Sequence, residues 1–194
     1  MARRIALEQL SQIDARRIAI IKPSALGDVV QTLPLLPVLR ERFRHADITW
    51  VVNSGIANLL DLHPDLDGII RFERQGSATC WIRLLAELRR RHFDLVFDLQ
   101  GLLRTAAMTL ATRAPIRVGL ETAREGAHLA CNLTIPDTNK HVPVHARFNR
   151  LYDALGMGHL QPQPRVAVNA EDHAWARERV ADLGSPTLAI HPGA

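Results

Sequence analysis

The chain has 194 residues, 47% of them hydrophobic, 23% charged and 5% aromatic. These fractions exclude a disordered or fibrous chain, and the length suits one domain, or one domain and the beginning of another. The formal charge is +4, but the basic residues are scattered and the aromatics too few to build a stacking platform, which argues against nucleic-acid binding.

The longest apolar run, residues 33–39, is far short of the ~20 residues a membrane helix needs. The N-terminus carries arginines without an apolar signal core. Cys80 and Cys131 do not make a disulfide framework, and the reading is a reducing cytoplasm. Among the 24 basic residues only Lys22 and Lys140 are lysines. Genome base composition accounts for most of that arginine bias, and it makes the position of Lys22 notable.

Residues 1–16 read as a short amphipathic helix packed loosely ahead of the main domain. Arg3, Arg4, Arg16 and Arg17 in and beside it could touch an anionic membrane surface. Apolar runs then follow at 18–21, 48–52, 69–72, 95–99, 116–120 and 188–190. They are continuous rather than alternating, which predicts strands buried on both faces of a parallel sheet.

Helices are predicted between them. Trp81, Leu84, Leu85 and Leu88 share one helical face, and Phe148, Leu151, Tyr152 and Leu155 share another, with Gly156 as a stop. Asn169 with Glu171 and Asp172 marks a helix start, and Gly184 its end. The alternation predicts an α/β fold, a Rossmann-like doubly wound parallel sheet. The predicted organisation is an extension over 1–16, a Rossmann-like domain over 17–165, and a helix and strand of a second domain over 166–194.

Ligands of such sheets sit at the carboxyl ends of strands. After the first strand comes Lys22-Pro23-Ser24-Ala25-Leu26-Gly27-Asp28, a small-residue loop entering a helix. It is neither a P-loop nor a dinucleotide fingerprint. Asp28 has two open readings, a helix N-cap and a catalytic carboxylate. Lys22 at a strand end needs an anionic partner, and it stands where a phospho-acceptor receiver domain would carry clustered acids.

After the fourth strand comes Asp98-Leu99-Gln100-Gly101. Asp98 is expected to tie down loop amides, while Gln100 could reach a sugar hydroxyl. Arg124 follows the fifth strand, placed to meet a phosphate or carboxylate, or else to pair with a nearby acid. His141 and His145 have metal-pair spacing, but Pro143 between them opposes a shared helical face and Cys131 is isolated, so a zinc site is rejected. No nucleophile elbow is present. The run Arg89-Arg90-Arg91 reads as a solvated helix end.

The segment Arg17–Asp28 (RIAIIKPSALGD) resembles the opening of glycosyltransferase family 9, the ADP-heptose:lipopolysaccharide heptosyltransferases. The likeness continues in order through Thr32-Leu33-Pro34, Asp98-Leu99-Gln100-Gly101, Ala123-Arg124-Glu125, His145 and His191-Pro192-Gly193-Ala194.

The resemblance implies a GT-B architecture of two Rossmann-like domains facing a cleft, the first holding the acceptor and the second the nucleotide sugar. It implies inverting transfer of heptose from ADP-heptose to the anionic inner core of lipopolysaccharide, without metal or cofactor. The setting would be the cytoplasm, with peripheral contact at the inner membrane. By the same resemblance Asp28 is the general base, Lys22, Gln100, Arg124 and His145 contact the acceptor, and Gly27 and Gly193 face the donor diphosphate.

Two departures stand out. The arginine-rich extension precedes the usual start, and the sequence reaches only the first phosphate-facing loop of the second domain. The 194 residues are therefore expected to bind ADP-heptose poorly and to turn over little. The alternative reading is a non-catalytic Rossmann-like module that binds an anionic glycolipid or a protein partner.

Overall fold

A computed structural model of the chain describes residues 5–138, 141–142, 144–158, 160, 162–184, 188 and 190, without the side chains of 144 and 145. Six strands are formed: β1 (Arg17–Ile21), β2 (Asp47–Asn53), β3 (Gly68–Phe72), β4 (Leu95–Asp98), β5 (Ile116–Leu120) and β6 (Leu133–Ile135). The helices are α1 (Leu26–Thr32), α2 (Leu35–Arg42), α3 (Ala78–Arg90), α4 (Leu103–Thr112), α5 (Val144–Ala154) and α6 (Ala170–Val180).

All strand pairs are parallel, in the order β3-β2-β1-β4-β5-β6. Alternation along each strand divides the core in two. Ile18, Ile20, Ile48, Trp50, Val52, Leu95 and Phe97 face one layer, which includes residues of α1, α2 and α5. Ala19, Ile21, Val51 and Val96 face the other, with Leu84 and Leu88 of α3 and Met108 of α4. Burial on both faces is why these strands read as unbroken apolar runs. The expected Rossmann-like doubly wound sheet is present.

Three elements differ from expectation. The N-terminal segment is a 3₁₀ stretch at Leu7–Gln12 rather than an α-helix, and it is not loosely packed. Leu10 is fully buried in the α5-side core. The Arg42 guanidinium donates to the carbonyls of Ser11 (2.7 Å) and Ile13 (2.8 Å), and Ile5 N–H donates to Asn132 O (2.9 Å). The apolar face inferred for an amphipathic helix is thus spent inside the domain.

A second difference is α2, formed from the proline-containing run 33–39. Pro34 is its N-cap and Pro37 falls in its first turn, where an amide would lack an intrahelical partner anyway. The third is β6, whose three residues and exposed Thr134 give too short a pattern to read.

The helix starting at Asn169 forms, with the Asn169 side chain accepting from Asp172 N–H at 2.7 Å, but it ends at Val180 and buries none of its residues. Of the predicted strand at 188–190, Leu188 and Ile190 are non-strand and exposed, and residue 189 lies outside the described residues. No helix among the described residues is long and apolar enough to cross a membrane.

Leu10→Ala tests the attachment of the N-terminal segment. Removing a fully buried leucine is expected to lower the unfolding free energy by ~2–5 kcal/mol in urea titration, whereas a loosely attached segment would give a change near zero.

Candidate functional site

The strand order reverses direction between β1 and β4. Connections from β1 run toward β3, and those from β4 run toward β6, so the helical layers part at the carboxyl ends of these two central strands. A cleft of about 150 Å³ opens there, and its walls include Lys22, Asp28, Gln100, Arg124, Arg147 and Phe148.

Lys22 is the first residue beyond β1. Its carbonyl accepts from the indole Nε1–H of fully buried Trp50 at 3.1 Å, which fixes the backbone as it leaves the sheet. Its Nζ lies 3.0 Å from Asp28 Oδ2. The lysine side chain is 11% exposed and the aspartate 51%. A nearly buried ammonium without an anion would be costly, and Asp28 supplies that anion. The pairing leaves Asp28 Oδ1 without a hydrogen-bond partner among the described residues.

The N-cap reading of Asp28 is corrected. Ala25 holds that position, and Asp28 lies within the first turn of α1, its side chain turned to Lys22. A carboxylate in a first turn still suits the helix dipole.

Asp98 ties down the next loop, as expected. Its Oδ1 accepts from Gln100 N–H (3.1 Å) and Gly101 N–H (2.9 Å), and Oδ2 lies 3.4 Å from Thr109 Oγ1. Burial pushes its carboxyl above the ordinary value of 3.8, and those hydrogen bonds oppose the shift only in part. The turn delivers Gln100 to the cleft, where its Oε1 is buried and has no hydrogen-bond partner among the described residues.

Gly101 then takes a left-handed φ of +65°. A Cβ there would stand 2.8 Å from Ala123 Cα, so the glycine lets the two loops touch. Arg124 N–H donates to Gly101 O at 2.8 Å, and the Arg124 guanidinium makes no ion pair among the described residues. The reading of Arg124 as the partner of a nearby acid is therefore corrected, and its charge is left facing the cleft.

Lys22, Asp28, Gln100 and Arg124 thus meet in one cleft although far apart in sequence. Gly27 lies in the first turn of α1, with open space where a Cβ would be, and does not line the cleft. His145 is the second residue of α5, but its side chain lies outside the described residues, as does Gly193.

Two further lining residues were not named as site residues from the sequence, Arg147 and Thr32, the latter only as part of a family motif. Arg147 Nε donates to Val142 O at 2.8 Å, and its only signal was position beside Phe148 on the predicted helix. Among the described residues no group of three or more His, Cys, Asp and Glu forms a potential metal site.

A doubly wound parallel sheet with an ion-paired carboxylate and two arginines at its switch point defines a class, a Rossmann-like α/β domain with a charged cleft at the carboxyl ends of its strands. Residues 81–194 match the family model of glycosyltransferase family 9 (heptosyltransferase), and the chain belongs to that family.

The chain is 24% identical over 180 residues to the lipopolysaccharide core heptosyltransferase OpsX of Haemophilus influenzae, covering 91% of this chain and 51% of that protein. A family 9 glycosyltransferase from Veillonella parvula superposes with a TM-score of 0.74 at 23% identity, over 89% of this chain and 51% of that one. The Escherichia coli heptosyltransferase WaaC, solved with ADP-2-deoxy-2-fluoro heptose, gives 0.62 at 26% identity, over 87% and 55%. The chain spans about half the length of these relatives.

Two substitutions probe the loop that carries Gln100. Gly101→Ala is expected to cost ~1–3 kcal/mol of unfolding free energy, through left-handed strain and the Ala123 contact. Asp98→Asn keeps an acceptor for the two loop amides but does not titrate. Because the folded state holds the Asp98 proton more tightly than the unfolded state, the native residue stabilises most below pH 3.8 and loses that contribution as pH rises through its elevated folded value. Unfolding free energies measured across this range should decline for the native chain relative to Asp98→Asn.

Proposed function

We propose that this chain forms the acceptor side of an inverting heptosyltransferase. ADP-heptose is the donor, and the inner core of lipopolysaccharide is the acceptor. One observation carries the reading, the pairing of Asp28 with Lys22 in a cleft that also holds Gln100, Arg124 and Arg147. Membership of family 9 and the names of its relatives support this choice of sugar and acceptor class.

In this reading Asp28 is the general base. Its Oδ1 accepts the proton of the acceptor hydroxyl as that oxygen bonds to the anomeric carbon of heptose, and the bond to the ADP phosphate oxygen breaks. Attack opposite the leaving group inverts the centre. A carboxylate half open to solvent and steered by a neighbouring ammonium suits proton abstraction from such a hydroxyl. Lys22, Arg124 and Arg147 offer charge to the carboxylates and phosphates of the acceptor. Gln100, whose buried oxygen has no donor among the described residues, suits a sugar hydroxyl. His145 joins this group by its family position.

The donor belongs to a second domain whose phosphate-facing loop includes Gly193, with Gly27 offering a backbone amide from this side. The acceptor-side domain alone therefore binds ADP-heptose weakly. The domain division at about residue 165 is part of the same proposal. So are a cytoplasmic setting and peripheral contact with the inner membrane. Arg16 and Arg17 sit at the amino end of β1, across the sheet from the cleft, and they give no direct support to that contact.

The test is Asp28→Asn, which preserves shape and an oxygen for Lys22. In a protein carrying this chain with a donor-binding domain, transfer to a Kdo-terminated acceptor should fall by ~10²–10⁴. Acceptor and donor affinities should stay within a few-fold. Undiminished turnover would reject Asp28 as the base, and robust transfer by these 194 residues alone would reject the donor assignment.

A further inference from the structure

We propose that Glu125 is a positioning residue for Arg124, anchoring the loop after β5 to the first turn of α4. The proposal deepens the reading of Arg124 as an acceptor contact and rests on it.

α4 begins without help from its own N-cap, because Leu102 has no side chain that can accept. The first helical amide, Leu103 N–H, is instead satisfied from another loop: Glu125 Oε2 accepts from it at 3.0 Å. A carboxylate at this end of a helix also meets the positive pole of its dipole. Glu125 makes no ion pair among the described residues, so this helix end is what fixes its side chain.

The backbone agrees. Glu125 adopts φ +55° and Gly126 φ +76°, two consecutive left-handed residues. Glutamate gains nothing locally from that conformation, which persists where surrounding contacts over-determine it. Those contacts are present. Arg124 N–H donates to Gly101 O (2.8 Å), Ala127 N–H donates to Arg124 O (2.9 Å), and Gly101 lies against Ala123. The loops that carry Gln100 and Arg124 are therefore joined on both sides of Arg124, by its own amide and by the next side chain.

The consequence is directional. Arg124 lines the cleft with Lys22 and Asp28. Glu125 lines a neighbouring cavity of about 220 Å³, and Gln100 borders both. With the carboxylate docked on α4, the arginine side chain is presented to the Lys22 side. Without it the left-handed turn loses one of its anchors, and the spacing between Arg124 and Gln100 is no longer set.

The experiment compares Glu125→Ala, Glu125→Gln, Arg124→Ala and the Arg124→Ala/Glu125→Ala double variant. It measures affinity of the chain for a soluble Kdo disaccharide and hydrogen exchange at the Leu103 and Arg124 amides. Glu125→Ala should weaken binding roughly tenfold, the scale of one charge-assisted hydrogen bond, and speed exchange at both amides. Glu125→Gln keeps an acceptor for Leu103 N–H and should recover most of both. The double variant should bind no more weakly than Arg124→Ala alone, because the glutamate acts through the arginine.

Additive losses in the double variant overturn the proposal. So does unchanged exchange in Glu125→Ala, and so does unchanged binding by Glu125→Ala when Arg124→Ala binds weakly. If Arg124→Ala itself binds the disaccharide normally, the acceptor reading of Arg124 falls. Exchange at the Arg124 amide then decides the anchoring by itself, and retained protection in Glu125→Ala overturns it.

Discussion

The site depends on the reversal of strand order between β1 and β4. Both strands are hydrogen-bonded on each edge and buried on each face, so their backbones have no freedom until they leave the sheet. The layers above their carboxyl ends diverge because the connections on either side run opposite ways. A concave surface forms there from topology, before any side chain is chosen. What the sequence adds is charge at its rim. Lys22 leaves β1 with its carbonyl held by Trp50 and its ammonium by Asp28.

The far side of the cleft is set less directly. Arg147 and Phe148 belong to α5, and α5 is held by the core layer that also takes in Leu10. Gly156, just beyond α5, approaches Ser11 so closely that a Cβ would stand 3.1 Å from the serine Cβ. The segment before β1 is thus part of the support for one cleft wall.

Much of the fold is legible because its signals are local. Unbroken runs such as Ile18–Ile21 and Leu95–Phe97 reflect two-sided burial, and the apolar face of α3 follows a 3.6-residue period. Gly156, with φ +76°, ends the α5 pattern as its position suggests. Prolines at helix starts hide α2, since the same residue breaks a helix interior and suits a first turn. The strand β6 is too short to show a period.

The sequence by itself determined the layered α/β fold, the family motifs, and the residues Lys22, Asp28, Gln100 and Arg124 as candidates, because strand ends and small-residue turns are written in consecutive positions. Tertiary structure alone decided that Asp28 pairs with Lys22 instead of capping its helix, that Arg147 enters the cleft, and that Glu125 satisfies a helix start twenty-two residues earlier in the chain. The Glu125 contact joins segments that follow different strands, and Arg147 reaches the cleft from α5. Such distances depend on sheet order and helix packing, which no local spacing encodes.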